Sequence, residues 1–171
     1  GEGINTAVYL NNANDANIAG NTFNLSLVSC YVDWREIPAR SGNWVSFYLS
    51  GGIVVENSNN VLFKDNEVNV NYTNVVGSYD TIYSLSFKNT DNTTITCNEI
   101  NAYGHTYVYG IQINGENFNI SENIILTTSD NYYACCIDVE GPSNGIICEN
   151  GLFAEATTSA YGIYSGMNGF E

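Results

Sequence analysis

A chain of 171 residues, 44% of them hydrophobic, carries enough apolar material for one packed core, and this excludes a disordered polymer although 27 residues are asparagine. The formal net charge of −14 sets 18 acids against four cations, Arg35, Arg40, Lys64 and Lys88, and so disfavours phosphate backbones and anionic membranes as partners. No apolar run approaches the roughly 20 residues of a membrane-spanning helix, and the start at Gly1 without a signal peptide fits a mature, processed product.

From Val8 onward the chain repeats itself. Val8/Leu10 precede Ile18-x-x-Asn21-x-Phe23, and the same block returns as Ile53/Val55 with Phe63-x-x-Asn66-x-Val68 and as Leu85/Phe87 with Ile95-x-x-Asn98-x-Ile100. It recurs as Ile111/Ile113 with Ile120-x-x-Asn123-x-Ile125 and as Ile137/Val139 with Ile147-x-x-Asn150-x-Leu152, and a sixth start at Ile163 is cut short. From first apolar residue to Asn is 13 residues in four copies and 12 in the one beginning at Ile111, and the starts are 45, 32, 26, 26 and 26 residues apart. Self-similarity of this kind marks a solenoid, whose units bury their apolar faces only by stacking.

Alternation at period two, as in Ile111-Gln-Ile113, makes the elements strands, and the clusters Asn57–Asn60, Thr90–Asn92, Gly115–Asn117 and Gly141–Gly145 between them form turns. Three short strands, two tight bends and a return segment per 26 residues describe one coil of a right-handed parallel β-helix. The fold class expected is therefore all-β, a solenoid of about five to six coils forming a single domain over 1–171. The two long repeats carry lateral insertions at 26–51 and 71–80.

Stacking puts equivalent residues into columns about 4.8 Å apart. Asn21, Asn66, Asn98, Asn123 and Asn150 form one column, and its amides are expected to hydrogen-bond from coil to coil while these residues take the left-handed conformation of a sharp bend. Asp65, Glu122 and Glu149 fall just before it, Glu67 and Glu99 just after it. Such neighbouring like charges are relieved by solvent, by calcium or by an arginine of an adjacent molecule.

The first insertion holds Trp34, Arg35, Arg40 and Trp44, residue types that dominate interfaces. It reads either as a docking arm for another copy or a ligand, or as a loop folded back on its own coil. Five cysteines, Cys30, Cys97, Cys135, Cys136 and Cys148, are an odd number; the alternatives are cross-links between copies and inert buried thiols. The lone histidine, His105, is read as a surface-loop residue, with acid/base chemistry as the competing role. Sequons at Asn24, Asn71, Asn92 and Asn119 are no more than chance supplies.

The pattern Tyr109-Gly-Ile-Gln-Ile113 followed by Asn119-Ile-Ser-Glu-Asn-Ile124 resembles the parallel β-helix repeat of pectate-lyase-like enzymes and of adhesin-like surface proteins of methanogenic archaea. The bias to Asn, Thr, Tyr and acids is more similar to the archaeal surface proteins, including the disulfide-linked proteins of methanogen sheaths. A lyase of this fold needs a calcium-binding acid cluster and a basic residue, a hydrolase paired acids. Lys64 and Lys88 stand alone on their coils, and Tyr103-Gly-His-Thr106 supplies only a Gly-His pair.

About seven residues precede the first coil, and Glu171 falls partway through the sixth. This leaves no room for a capping helix, so either the chain is a fragment or its last coil stacks on the first coil of another copy. The expectation is a non-enzymatic extracellular building block of a homopolymeric sheath or surface layer. An adhesin-like module binding glycans through the Trp/Arg arm and Tyr31, Tyr103, Tyr107 and Tyr109 is the first alternative, and a polysaccharide lyase or hydrolase the second.

Overall fold

The computed structural model describes residues 8–28, 52–73, 81–141 and 144–166. Among them there is no helix, and the 16 strands pair in parallel in three sheets. The first sheet stacks β1 (Val8–Asn11), β4 (Ile53–Glu56), β7 (Thr81–Lys88), β10 (Tyr107–Asn114), β13 (Tyr133–Val139) and β16 (Ser159–Ser165). The second stacks β2 (Asn17–Ala19), β5 (Leu62–Lys64), β8 (Thr94–Thr96), β11 (Glu116–Ser121) and β14 (Asn144–Cys148). The third stacks β3 (Thr22–Val28), β6 (Glu67–Thr73), β9 (Glu99–Gly104), β12 (Ile124–Ser129) and β15 (Gly151–Ala156). Each of the first five repeats thus gives one strand to each sheet, one such set being a rung, and the sixth gives β16 to the first sheet. β3 continues to Val28 and β6 to Thr73, so both lateral segments leave the sheet later than the spacing predicts; their remainder lies outside the described residues.

Register fixes the columns. Val8, Ile53, Leu85, Ile111, Ile137 and Ile163 lie side by side, as do Ile18, Phe63, Ile95, Ile120 and Ile147, and Phe23, Val68, Ile100, Ile125 and Leu152. β-branched residues suit this pleated, enclosed surface, and in the middle rungs they are fully buried. Phe63 and Phe87 meet edge to face with ring centres 6.2 Å apart. Val8, Ile18 and Phe23 at one end, and Ile147 and Leu152 at the other, are only partly buried, each having one neighbouring rung among the described residues.

The bend beside the asparagine column is not where the sequence puts it. Left-handed φ values belong to the preceding residues, Gly20, Asp65, Cys97, Glu122 and Glu149 (68°, 53°, 56°, 58° and 57°), and not to the asparagines. With the turn made one residue earlier, the asparagine side chain points inward, and Asn66, Asn98 and Asn123 are buried. Two more columns of positive φ, Asn12/Asn57/Asn89 and Asp15/Asn60/Asn92/Asn117, use the residue type that tolerates the conformation best. Glutamate does not, so Glu122→Asn should relieve backbone strain on an exposed position and stabilise by about 0.5–1 kcal/mol. Thermal melts should show a rise of a few degrees; a fall would mean that Glu122 contributes more than its strain removes.

Candidate functional site

Inside the bend runs a continuous amide ladder. The Nδ2 of Asn21 donates to Oδ1 of Asn66 (3.1 Å), Asn66 to Asn98 (3.1 Å), Asn98 to Asn123 (2.8 Å) and Asn123 to Asn150 (2.9 Å). The same Oδ1 atoms accept the backbone N–H of the asparagine one rung earlier. Each interior Nδ2 also reaches backbone carbonyls, as Asn98 does to Phe63 and Thr96. A buried polar column is tolerated because its donors and acceptors are paired.

On the outside of the bend the acids line up as the spacing implies, with Glu67 opposite Glu99. Neutral amides relieve them. Asn69 donates to Glu67 (2.8 Å) and Asn101 to Glu99 (3.3 Å), and Asn101 in turn donates to Asn69. Lys64 lies 3.5 Å from Asp65, an exposed pair of little energetic weight. A shallow open depression is lined by Gly20, Asp65, Glu67, Cys97 and Glu99. Among the described residues no group of three or more His, Cys, Asp or Glu is placed to hold a metal ion, so Asp65, Glu67, Glu99, Glu122 and Glu149 do not converge as calcium ligands.

Four thiols are described, and all are free. Cys135 and Cys136 are fully buried, which removes both from the candidates for cross-links between copies. Their strand carries them to opposite faces: Cys136 joins the core and touches Thr127, while Cys135 sits outside against the tyrosines. Burial, aided by Asp138, pushes the Cys135 thiol up to about 12, and burial also raises Cys136, so neither supplies a thiolate near neutral pH. Cys97 is half-buried with its Sγ against Glu122 (3.5 Å); Cys148 is exposed. Cys30, Trp34, Arg35, Arg40, Trp44 and Tyr31 lie outside the described residues.

The outer face of the first sheet carries a feature that the repeat analysis overlooked. Tyr83, Tyr109, Tyr133 and Tyr161 follow one another with ring centres 4.8, 5.4 and 5.4 Å apart, and Tyr107, Tyr132 and Tyr164 flank them. The signal is in the sequence: Tyr83 and Tyr109 are 26 residues apart, as are Tyr107 and Tyr133, with Cys135 taking the place a tyrosine would occupy. Tyr103 is exposed and its hydroxyl donates to Asp130. His105 lies half-buried in the bend between β9 and β10.

In the next column of that outer face Val54, Ser86, Gln112 and Asp138 are all buried, and Ser86 donates to Gln112 (2.7 Å). Burial, and then the charge of Glu140, raises Asp138 to about 7. A carboxyl whose folded value lies above its ordinary one is favoured protonated in the fold, so stability falls as pH rises from about 4 to about 7 and stays lower beyond. Asp138→Asn should therefore stabilise by about 2–4 kcal/mol above pH 7 and change little near pH 3. Urea midpoints measured at both pH values check this; an equal effect at both would remove the titration as its cause.

The two end rungs complete the site. Among the described residues β1, β2 and β3 are each paired on one side only, as are β14, β15 and β16. Ile146 and Phe153 are each 63% exposed and Ile163 48% exposed, the largest apolar exposures in β14, β15 and β16. No helix among the described residues is long and apolar enough to cross a membrane. Compared with protein-family models, curated proteins and solved structures, the chain matches none.

Proposed function

We propose that the chain is a non-enzymatic extracellular structural protein, a right-handed parallel β-helix of five to six coils that stacks edge to edge into a sheath or surface layer. The exposed last rung carries this reading. Its Ile163 continues an inward column that is buried or half-buried on every other rung, the inward Ile147 and Leu152 are only partly buried, and among the described residues β14, β15 and β16 each pair on one side only. Exposed Cys148 on that rung, half-buried Cys97 and Cys30 remain as cross-linking candidates, and Trp34, Arg35, Arg40 and Trp44 as a lateral docking arm. The non-enzymatic part rests on Glu67 and Glu99 accepting from neighbouring amides and on Asp138, the one described carboxyl with a strongly raised proton affinity, being buried.

Sedimentation velocity tests the reading. A body with a net charge of −14 repels its copies, so polymers should lengthen with protein concentration and with salt that shortens the screening distance below about 10 Å. One slow species under every condition would contradict it.

The exposed ends of the tyrosine row, Tyr132, Tyr161 and Tyr164, favour a second reading, an adhesin-like module on which sugar rings stack. Thermal stabilisation of a monomer by surface glycans would support it over assembly.

A further inference from the structure

The outer face of the third sheet changes character partway along the stack. On the first three rungs one outward column is Asn24, Asn69 and Asn101, and the column beside it is Thr22, Glu67 and Glu99. On the next two rungs the same columns continue as Leu126 and Phe153 and as Ile124 and Gly151. Burial alternates along β12: Ile125 and Thr127 are buried, whereas Ile124 and Leu126 are 51% and 40% exposed. The fold accepts asparagine at three of the five places in this column, so leucine and phenylalanine at the other two answer no demand of the core. Gly151 leaves room for the ring of Phe153 to lie beside Ile124, since a Cβ there would stand 3.7 Å from the ring and 3.9 Å from the isoleucine. The three side chains form one exposed apolar patch, the kind of surface that marks an interaction site. β12 is paired on both sides, by β9 and β15, so the exposure of Ile124 and Leu126 belongs to the face and not to an end of the stack.

Acids rim the patch. Glu99 is the register partner of Ile124, Glu122 precedes Ile124 by two residues at the bend, and Glu155 follows Phe153 by two on the same strand; all three are exposed. Two copies packed patch to patch would therefore set acid against acid. A partner fitted to this surface offers apolar rings with cations beside them. Of the four cations of the chain, Lys64 lies beside Asp65 and Lys88 sits 6.0 Å from the ring centre of Tyr83. The other two, Arg35 and Arg40, share the stretch 34–44 with both tryptophans.

We infer that the Ile124, Leu126 and Phe153 patch is the seat for residues 34–44 of a second copy, the tryptophans covering the apolar side chains and the arginines pairing with the acids of the rim. The inference rests on the proposed self-assembly and names the surface that receives the docking arm, on the flank of the stack. The occupant comes from a second copy because the patch is exposed in the single chain. Aromatic and arginine anchors set on an apolar patch are the contacts that dominate interfaces.

The test replaces Phe153 with the photoreactive p-benzoylphenylalanine in the intact chain, irradiates a mixture of isotope-labelled and unlabelled copies, and maps the products by peptide mass. Cross-links from position 153 of one copy to residues 34–44 of another are the expected result. Cross-links confined to a single copy would overturn the second-copy occupant, and cross-links to other residues of a second copy would overturn the choice of segment; both leave self-assembly standing. Polymers by sedimentation without any cross-link from position 153 would overturn the seat alone. Monomers by both measures would overturn the inference and the function it rests on. A charge exchange covers the case in which the photoreactive variant does not fold. Arg35→Glu with Arg40→Glu should weaken association about tenfold, as should Glu99→Lys with Glu122→Lys, and all four together should restore it. No recovery in the combined variant would overturn the pairing of these arginines with the rim.

Discussion

Replacing Asn98 by alanine should lower the stability of the fold by about 3–5 kcal/mol. The cost comes from the groups it abandons. Asn98 is buried, its Oδ1 accepts both the N–H and the Nδ2 of Asn66, and its Nδ2 serves Phe63 O, Thr96 O and Asn123 Oδ1. An orphaned buried donor or acceptor costs about 1–3 kcal/mol, and a methyl group at position 98 reaches none of them. Asn98→Asp separates the two halves of the amide: the acceptor for Asn66 survives, but a carboxylate oxygen is set against Asn123 Oδ1 in a dry site. Its folded proton affinity would be raised, so this variant should regain stability as pH falls through the acid range, whereas Asn98→Ala should not. Chemical denaturation of both variants at pH 4 and pH 7 checks the pair; an Asn98→Ala loss below about 1 kcal/mol would mean that the ladder is ornamental to stability.

Gly115→Ala should be at least as damaging. The repeat that begins at Ile111 is one residue shorter than its neighbours, and the missing residue falls at this corner: five residues lie between Lys88 and Thr94, four between Asn114 and Asn119, although both pairs stay in register. The shortened corner brings the backbones of two rungs together. A Cβ on Gly115 would lie 1.8 Å from Thr90 O and 2.8 Å from Thr90 C, atoms that cannot move without shifting the whole rung. Overpacking against backbone typically costs about 1–3 kcal/mol and more where relaxation is blocked. A loss above about 3 kcal/mol, with β7 and β10 amides exchanging faster, is expected. Gly151→Ala is the control, since a Cβ there meets nothing closer than 3.7 Å, and it should change little.

These two sites show what the sequence made legible. Asn98 was readable because the repeat keeps it at a fixed distance from Leu85 and Ile95, and the apolar columns follow from the same count. Gly115 was visible only as a copy shorter by one residue, since close approach of two backbones leaves no pattern in side chains. The left-handed residue was misplaced by one because asparagine is the residue expected there, whereas this column fills it with Asp, Cys and Glu and spends the asparagines on the ladder. Asn69 and Asn101 were lost among 27 asparagines, and only register shows that they serve Glu67 and Glu99. The burial of Cys135 and Asp138 on an outward face is tertiary and could not be counted along the chain.

Electron microscopy of the purified chain, oxidised and reduced side by side, tests the central claim most directly. Regular tubes, hoops or sheets that loosen when the cysteines are reduced are predicted. A field of separate particles in both samples would contradict self-assembly.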